Sequence, residues 1–369
     1  MYEQLQQTVA EMTAPGQMFS IAQVEVGGYP VKAWAMASNS LRDIWLSSAG
    51  HANADYLVYR DERWTYAQAH GEVARIANWL VANGIGRHDR VAIAMRNFPE
   101  WMLSYWAIAS IGAVSVGVNA WWVPDELKYG LKDSGTRLLI CDAERLARFE
   151  GIRAEFPGMK VVAVRVDAVP AWATPWSEVL AADALMPDAS IDADDDACIF
   201  YTSGTTGAPK GAQLTHRGCV NNILSVVFGT MSQATAQARA LGKEPPGLLG
   251  GGKTQLASII ATPLFHVTAN NCMAQTATIG GGKLVHMHKW DAGEALRLIE
   301  QEKVTIFSGV PTMSREIINH PDFATRDTST LTALSGGGAP VQPDLIGKID
   351  SAGRGAQAGQ GYGMTETCG

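Results

Sequence analysis

The residues best suited to chemistry lie in Tyr201-Thr-Ser-Gly-Thr-Thr-Gly-Ala-Pro-Lys210-Gly211, where three glycines and four Ser/Thr hydroxyls fall within eleven positions. A backbone of that composition can fold around an anion. Glycine permits close approach and positive φ, and hydroxyls and free N–H groups donate hydrogen bonds to phosphate oxygens. Lys210 adds a positive charge. The stretch follows an apolar strand candidate, Ala197–Thr202, and precedes a helical pattern, Arg217–Phe228. A helix N-terminus is therefore expected behind it, favouring an anion by about 0.3–1 kcal/mol. A second group, Gln360-Gly-Tyr-Gly-Met-Thr-Glu366, ends in a carboxylate after two glycines and a threonine. A hard oxygen ligand there suits Mg2+, which takes one or two carboxylates beside phosphate oxygens. Thr365 offers a hydroxyl to a phosphate, and Tyr362 a flat face for adenine. Two further sites are open to two readings each. His266, ending an apolar run, is a structural histidine or borders a pocket. Ser308-Gly309-Val310-Pro311, after another strand, is a strand-to-helix turn with proline at the helix start or lines that pocket.

Other motifs fail their chemical reading. Gly247-Leu-Leu-Gly-Gly-Gly-Lys253-Thr254 fits the Walker phosphate-loop spacing. That mechanism needs a strand before and a helix after. Gln237–Pro246 cannot be a core strand, and Gln255–Ala261 reads as one. Gly353-Arg-Gly-Ala-Gln-Ala358 approximates a dinucleotide fingerprint without a preceding strand. His286 and His288 share one face of a strand. Without a third ligand nearby they read as a surface pair rather than a zinc site. Asp192, Asp194, Asp195 and Asp196 lack calcium-loop spacing and read as a solvated linker. No Ser-His-Asp or Cys-His signature stands out.

The elements that must hold these residues alternate. Residues 1–40 read as an irregular extension packed on the body. A hairpin follows, Tyr56–Tyr59 with Trp64–Tyr66, then a helix capped by Thr65 and stopped at Asn83-Gly84. Strand candidates Val91–Met95, Ala113–Val118, Leu138–Cys141 and Val161–Val166 alternate with helical stretches Glu100–Ile111, Asp125–Lys132 and Ala143–Phe149. Residues 168–196, with three prolines and the acidic run, connect a first lobe (41–167) to a second (197–369). The second lobe carries strand candidates Leu256–Ala261, Lys283–Met287, Val304–Phe307 and Leu331–Ser335. Its helical stretches include Asn270–Thr278, Ala292–Glu302 and Thr312–Asn319. Residues 230–253 read as a long mobile insertion. Short apolar strands spaced by helices predict an α/β fold, with parallel or mixed sheets flanked by helices in two lobes.

Composition agrees. The 369 residues are 47% apolar and 18% charged, values of an ordinary globular chain. A net charge of −7 lacks the basic footprint of a nucleic-acid binder. The five cysteines form no CxxC pair, so neither a disulfide framework nor a zinc finger is signalled, and a cytoplasmic setting is expected. The uncharged stretch from Trp101 to Pro124 is long enough to imitate a membrane span. Its serines, glycines and mid-course change of character fit a buried helix followed by a buried strand instead.

The Tyr201–Gly211 stretch resembles the phosphate loop of the adenylate-forming superfamily, which includes acyl-CoA synthetases, luciferases and nonribosomal adenylation domains. Further matches follow in family order: Pro263-Leu-Phe-His266, Gly336-Gly-Gly-Ala-Pro340 and Gln360–Glu366. The general style is most similar to bacterial fatty-acid–CoA ligases. The resemblance implies the large N-terminal domain of that fold. It implies ATP contacts from Thr202, Ser203, Gly204, Thr205, Thr206, Gly207, Lys210, Gly338, Ala339, Pro340, Gly361, Tyr362, Gly363 and Thr365. It implies an acyl pocket at His266, Val267, Ser308, Gly309, Gly337 and Met364, and Mg2+ at Glu366. Lys210, Thr365 and Glu366 would carry catalysis.

The implied activity is an ATP-dependent acid–CoA ligase, most simply for a medium- or long-chain fatty acid. A carboxylate attacks the α-phosphate of ATP and expels pyrophosphate, and the thiol of coenzyme A then displaces AMP. Aryl-acid ligases share these motifs. The family's later aspartate, hinge and small C-terminal domain with its lysine find no match before Gly369. The chain is therefore expected to be the N-terminal portion of a longer ligase and to turn over poorly alone. A nucleotide- or acyl-binding remnant without catalysis and a Walker-type ATPase at Gly247–Thr254 are the alternatives. A homodimer is compatible with the resemblance, and no residue specifies it.

Overall fold

The computed structural model describes residues 2–203, 207–245, 254–351 and 356–369. Residues 1–40, expected to be irregular, contain a helix, α1 (Tyr2–Met12), and a hairpin, β1 (Ile21–Val26) with β2 (Tyr29–Trp34). Alternating valines across β1 and β2 and the glycine pair between them, Gly27 and Gly28 at φ +57° and +83°, set this hairpin. It packs on the body through Trp34, whose Nε1 donates to Ser225 Oγ at 3.0 Å. Phe19 and Phe228 lie against the Trp34 ring.

The next elements are α2 (Leu41–Ser47), the hairpin β3 (Asp55–Tyr59) and β4 (Glu62–Thr65), and α3 (Tyr66–Ala82). Thr65 caps α3 in a reciprocal box with Gln68, which satisfies two otherwise unpaired helix-end donors. The helix stops at Asn83, with Gly84 at φ +78°. Then come β5 (Arg90–Ala94), α4 (Pro99–Ser110), β6 (Val114–Gly117), α5 (Pro124–Asp133), β7 (Leu138–Asp142), α6 (Ala143–Glu150), β8 (Lys160–Val164), β9 (Thr174–Pro175) and α7 (Trp176–Val179). Every residue of α4 is buried, as is every residue of β6. The uncharged stretch is thus a core helix and a core strand, and no helix among the described residues is long and apolar enough to cross a membrane.

The remaining elements are β10 (Asp196–Thr202), β11 (Lys210–Thr215), α8 (His216–Ala240), β12 (Ala257–Ile260), a π-helix (Thr268–Gln275), α9 (Thr276–Ile279), β13 (Lys283–His286), α10 (Ala292–Glu302), β14 (Ile306–Gly309), α11 (Pro311–Asn319), β15 (Ala333–Gly336), α12 (Pro343–Ser351) and β16 (Gln357–Gln360). Helix α8 runs well beyond the expected Phe228 and takes the first part of the stretch read as a mobile insertion. Ser232, Thr235 and Ala236 are buried there, their small side chains letting α1 lie close. The Walker-like residues 246–253 and the glycines at 353 and 355 lie outside the described residues.

Two seven-stranded sheets result, ordered β11-β10-β6-β5-β7-β8-β9 and β16-β15-β14-β12-β13-β3-β4. Only β11 and β4, each the outer strand of a hairpin, run antiparallel to their neighbours. The sheets trade hairpins across the expected connection at 168–196. β3 pairs with β13, Leu57 beside Leu284, while β10 pairs with β6. The segments 41–167 and 197–369 are therefore not separate sheets. A central core between the sheets buries Trp45, Trp101, Trp106, Tyr56 and Tyr66 completely. Two further cores lie on the outer faces, one under α5 and α6 and one under α10, α11 and α12. Helices thus cover both faces of each sheet, a mixed α/β architecture.

The acidic run is solvated only at Asp192 and Asp194, which are exposed. Asp195 is 9% exposed and accepts two hydrogen bonds from Arg87, at 2.6 and 2.8 Å, which hold its carboxyl below the usual range. Asp194 pairs with Arg217 at 2.6 Å. These pairs fasten the connection to the start of α8 and to the loop before β5.

Candidate active site

Parallel sheets offer ligands the crevice beyond the carboxyl ends of their strands. In the second sheet that edge gathers the expected motifs. Strands β14, β15 and β16 are in register, with Gly309 beside Gly336 and Gly336 beside Gln360. The turns that leave them are tied together: Gly337 N donates to Gly309 O at 2.9 Å, and Gly361 N to Gly336 O at 3.3 Å. Ser308 and Gly337 are half-buried, whereas Gly338, Ala339 and Pro340 are exposed. A side chain on Gly309 would meet Met313 Sδ at 2.9 Å. Gly338, at φ +74°, takes a conformation that glycine adopts without strain.

His266 leaves the neighbouring strand β12 on the same edge. Its ring is half-buried and lies 4.8 Å from that of Phe265, and burial lowers its pKa. Val267 is buried and opens the π-helix. The π-helix stands where the periodicity predicts an α-helix over Asn270–Thr278. Its register is held by buried side chains: Trp101 Nε1 donates to Asn270 Oδ1 at 3.1 Å, and Gln275 Nε2 to Tyr105 OH at 2.7 Å. Such bulges are frequent at functional sites.

The first sheet presents its own carboxyl edge, and Asn97 links the two. Its Nδ2 donates to Ile260 O at 3.1 Å and Thr262 O at 3.0 Å, and its Oδ1 accepts from Leu264 N at 3.0 Å. Arg96 Nη2 donates to His288 O at 2.9 Å across the same gap. Sequence reasoning missed both residues. The Asn-Phe-Pro run before α4 was their only signal, and it reads as an ordinary helix start.

The expected phosphate loop joins β10 to β11. Thr202 pairs with Lys210 at the mouth of this hairpin. Ser203, Gly207 and the Lys210 side chain are exposed, and Gly207 has φ +112°. Gly204, Thr205 and Thr206 lie outside the described residues. The helix expected over Arg217–Phe228 was to turn its N-terminus on the loop's anion. Strand β11 intervenes, and α8 begins only at His216, with Thr215 as its cap. Six strand residues separate the loop from that helix end by about 20 Å, and the helix dipole acts only over its first turn. Hydroxyls, backbone N–H groups and Lys210 must therefore serve an anion without it. Helix α5 braces the hairpin. Tyr129 OH donates to Pro209 O at 2.9 Å and Tyr201 OH to Asp133 Oδ2 at 2.7 Å.

The turn after β16 connects the two edges. Tyr362 is 90% exposed and Met364 46%. Thr365–Thr367 form a single 3-10 turn that packs on β11, closed by Gly369 N donating to Met364 O at 3.2 Å. Glu366 is exposed and Thr365 half-buried. No cluster of three His, Cys, Asp or Glu side chains suited to a metal exists among the described residues. A single exposed carboxylate fits a Mg2+ ion that takes most of its ligands from phosphates and water. His286 and His288 do not form a surface pair. His286 is 3% exposed, with its pKa lowered to about 3 by burial, while His288 lies over the Phe98 ring.

A cavity of about 530 Å3 lies elsewhere, lined by His88, Arg90, Asp133, Asp196 and Tyr201 among others. Its arginine is committed to carbonyls, donating to Ser134 O and Gly135 O. Neither Thr202 nor Ser203 of the phosphate loop lines it.

The match to known proteins follows this geometry. Residues 45–369 match the model of the AMP-binding enzyme family. The chain is similar to a feruloyl-CoA synthase of Amycolatopsis sp, 36% identical over 82% of this chain and 54% of that one. It is similar to 4-coumarate–CoA ligase 3 of Oryza sativa subsp. japonica, 30% identical over 83% of this chain and 52% of that one. It thus spans about half the length of the curated relatives it matches. Among solved structures, the N-terminal domain of FACL13 from Mycobacterium tuberculosis superposes with a TM-score of 0.73 at 28% identity, covering 90% of this chain and 77% of that one. An anthranilate CoA ligase, AuaEII, shares the fold with a TM-score of 0.78 at 24% identity over 90% of this chain and 61% of that one. The chain therefore belongs to the AMP-binding enzyme family, within the adenylate-forming superfamily.

Proposed function

We propose that the protein is an ATP-dependent acid–CoA ligase that activates a carboxylic acid as its acyl-adenylate. The supporting observation is the meeting of sequence-distant motifs where two carboxyl sheet edges face each other across Asn97. Attack of one anion on another is slow because charges repel and charge builds on the phosphates. Positioned donors at the hairpin mouth, with Lys210, would offset that charge, and such preorganised electrostatics are the main resource of phosphoryl chemistry. Thr365 and Glu366 would face the phosphates from the turn packed on β11. Mg2+ would neutralise phosphate charge there, held by Glu366. Tyr362 offers its exposed ring to adenine, and Gly338–Pro340 offer backbone beside it. His266, Val267, Ser308, Gly309, Gly337 and Met364 would border the acid. Holding the carboxylate and the α-phosphate in line removes several kcal/mol more of the barrier.

A fatty acid was the expected substrate. The relatives named for feruloyl-CoA and 4-coumarate move an aryl acid ahead of it. Acid-dependent ATP–pyrophosphate exchange by the full-length protein tests both readings. Exchange driven by ferulate or coumarate but not by fatty acids supports the aryl reading, and the reverse pattern overturns it. Exchange with neither, beside tight Mg·ATP binding by calorimetry, would leave a nucleotide-binding protein without ligase activity.

A further inference from the structure

The hairpin β10–β11 presents the phosphate loop, and a single helix holds both of its arms. Tyr129 and Asp133 stand four residues apart on α5, so their side chains share a face. Tyr129 OH donates to Pro209 O at 2.9 Å, on the β11 side of the hairpin mouth. Asp133 Oδ2 accepts from Tyr201 OH at 2.7 Å, on the β10 side, and Gly130 O lies 3.0 Å from the same hydroxyl. The helix thus grips one residue before Lys210 and one residue before Thr202, which pairs with Lys210 across the hairpin.

Both grips are themselves fastened. Gly211 lies opposite Tyr201, and a Cβ there would come within 2.8 Å of Ile199 Cγ2 and 3.4 Å of Tyr201 Cζ, so bare backbone at 211 leaves these side chains their places. On α5, a Cβ on Gly130 would come within 2.3 Å of the Trp122 ring, and that ring meets Tyr201 in a T-shaped contact at 5.1 Å. Lys128 and Lys132 tie the helix to Glu155 at 3.0 and 2.6 Å, and Arg90 donates to Ser134 O and Gly135 O just past its end. The Pro209 carbonyl belongs to the planar peptide unit that enters Lys210. A hydrogen bond to that oxygen fixes the plane from which the Lys210 Cα departs. Lys210 is exposed and forms no ion pair with a described residue, so the backbone beneath it sets its aim.

We propose that Tyr129 and Asp133 are positioning residues for the ligase reaction: α5 holds the two arms of the hairpin so that Lys210 meets the phosphates of ATP, an assignment that rests on the ligase reading above. Neither residue acts on the nucleotide directly. Tyr129 works through the Pro209–Lys210 peptide, and Asp133 through Tyr201 and the strand that leads into Thr202.

The test is a double-mutant cycle in the purified full-length protein, read by calorimetric titration with Mg·ATP and by acid-dependent ATP–pyrophosphate exchange. Tyr129 is 36% exposed, so Tyr129→Phe should leave the thermal midpoint near that of the unaltered protein. Its Mg·ATP affinity should fall about three- to tenfold, the worth of one hydrogen bond. In exchange, kcat and the KM for Mg·ATP should worsen while the KM for the acid holds. In a Lys210→Ala background the same substitution should cost almost nothing further, because its effect passes through that lysine. Asp133→Ala should lower affinity likewise, and Asp133→Asn, which keeps an acceptor for Tyr201, should restore most of it. Unchanged affinity in Tyr129→Phe, full additivity with Lys210→Ala, or losses that track the thermal midpoint overturn the proposal. Tight Mg·ATP binding without exchange in the unaltered protein would sink the ligase reading alone, since the calorimetric cycle still reports the grip on the loop. Absence of Mg·ATP binding by the unaltered protein overturns both.

Discussion

Lys210 stands exposed at the mouth of the β10–β11 hairpin and makes no ion pair with a described residue, so its charge is available to a ligand. Removal of one preorganised donor from a charge-developing site costs about 10²–10³ in rate. Lys210→Ala should therefore lower acid-dependent ATP–pyrophosphate exchange by that order while the fold, read by circular dichroism, stays intact. Lys253→Ala should leave exchange nearly unchanged. Along the chain that lysine falls after the helix α8 and before the strand β12, the reverse of the order a Walker loop requires. If Lys253→Ala abolished nucleotide binding and Lys210→Ala spared it, the two loops would have to exchange roles.

At the level of elements, the site depends on the pairing of two sheet edges more than on any one loop. Asn97 makes three hydrogen bonds to the chain between β12 and the π-helix and is 6% exposed. Asn97→Ala would leave Thr262 O and Leu264 N buried without partners, while Ile260 O keeps Met287 N, each orphaned group costing about 1–3 kcal/mol. Urea denaturation should show a loss of at least about 2 kcal/mol. Exchange should fall further than a stability loss alone explains, because His266 sits two residues beyond Leu264 on that segment. Asn97→Asp, which keeps only the acceptor, should recover part of the stability. Loss of stability with wild-type exchange would mean that the facing edges need no such fastening.

For the whole molecule, acid sensitivity follows from imidazoles buried in the neutral form. Burial lowers the pKa of His286 to about 3 and of His216 to about 4, against the ordinary 6.5. Above pH 6.5 both folded and unfolded chains leave these rings neutral, and nothing is lost. As pH falls below that value the unfolded chain takes up protons that the folded one refuses, so stability falls continuously toward about pH 4. Asp195 acts lower still. Its carboxyl is held down by Arg87, so its contribution is present above the ordinary 3.8 and disappears only beneath it. Thermal midpoints measured from pH 7.5 down to pH 4.5 should drop by several degrees, and His286→Leu should flatten the slope. A midpoint independent of pH across that window would show these rings to be hydrated.

Much of this was legible before the tertiary structure. The phosphate-loop composition, the Gly336–Pro340 and Gln360–Glu366 motifs, and the alternation of strands and helices are local patterns, fixed by residue types a few positions apart. They sufficed to name the superfamily, the α/β class and most core elements. They could not show that β3–β4 and β10–β11 would change sheets, because strand pairing between distant segments leaves no local mark. They placed a helix at Arg217–Phe228, which α8 contains, and left unread the edge strand between it and the phosphate loop, because Lys210–Thr215 carries too few apolar residues to read as a strand. They took Asp195 and His286 for surface groups, since a charge or an imidazole reads as exposed until its partner or its packing is known. Asn97 belongs to the same class. The sequence by itself determined which groups could do chemistry and what local shapes would carry them. Which of those groups meet, and which polar side chains hold them together, was decided by burial and long-range pairing, because those contacts join residues up to about two hundred positions apart.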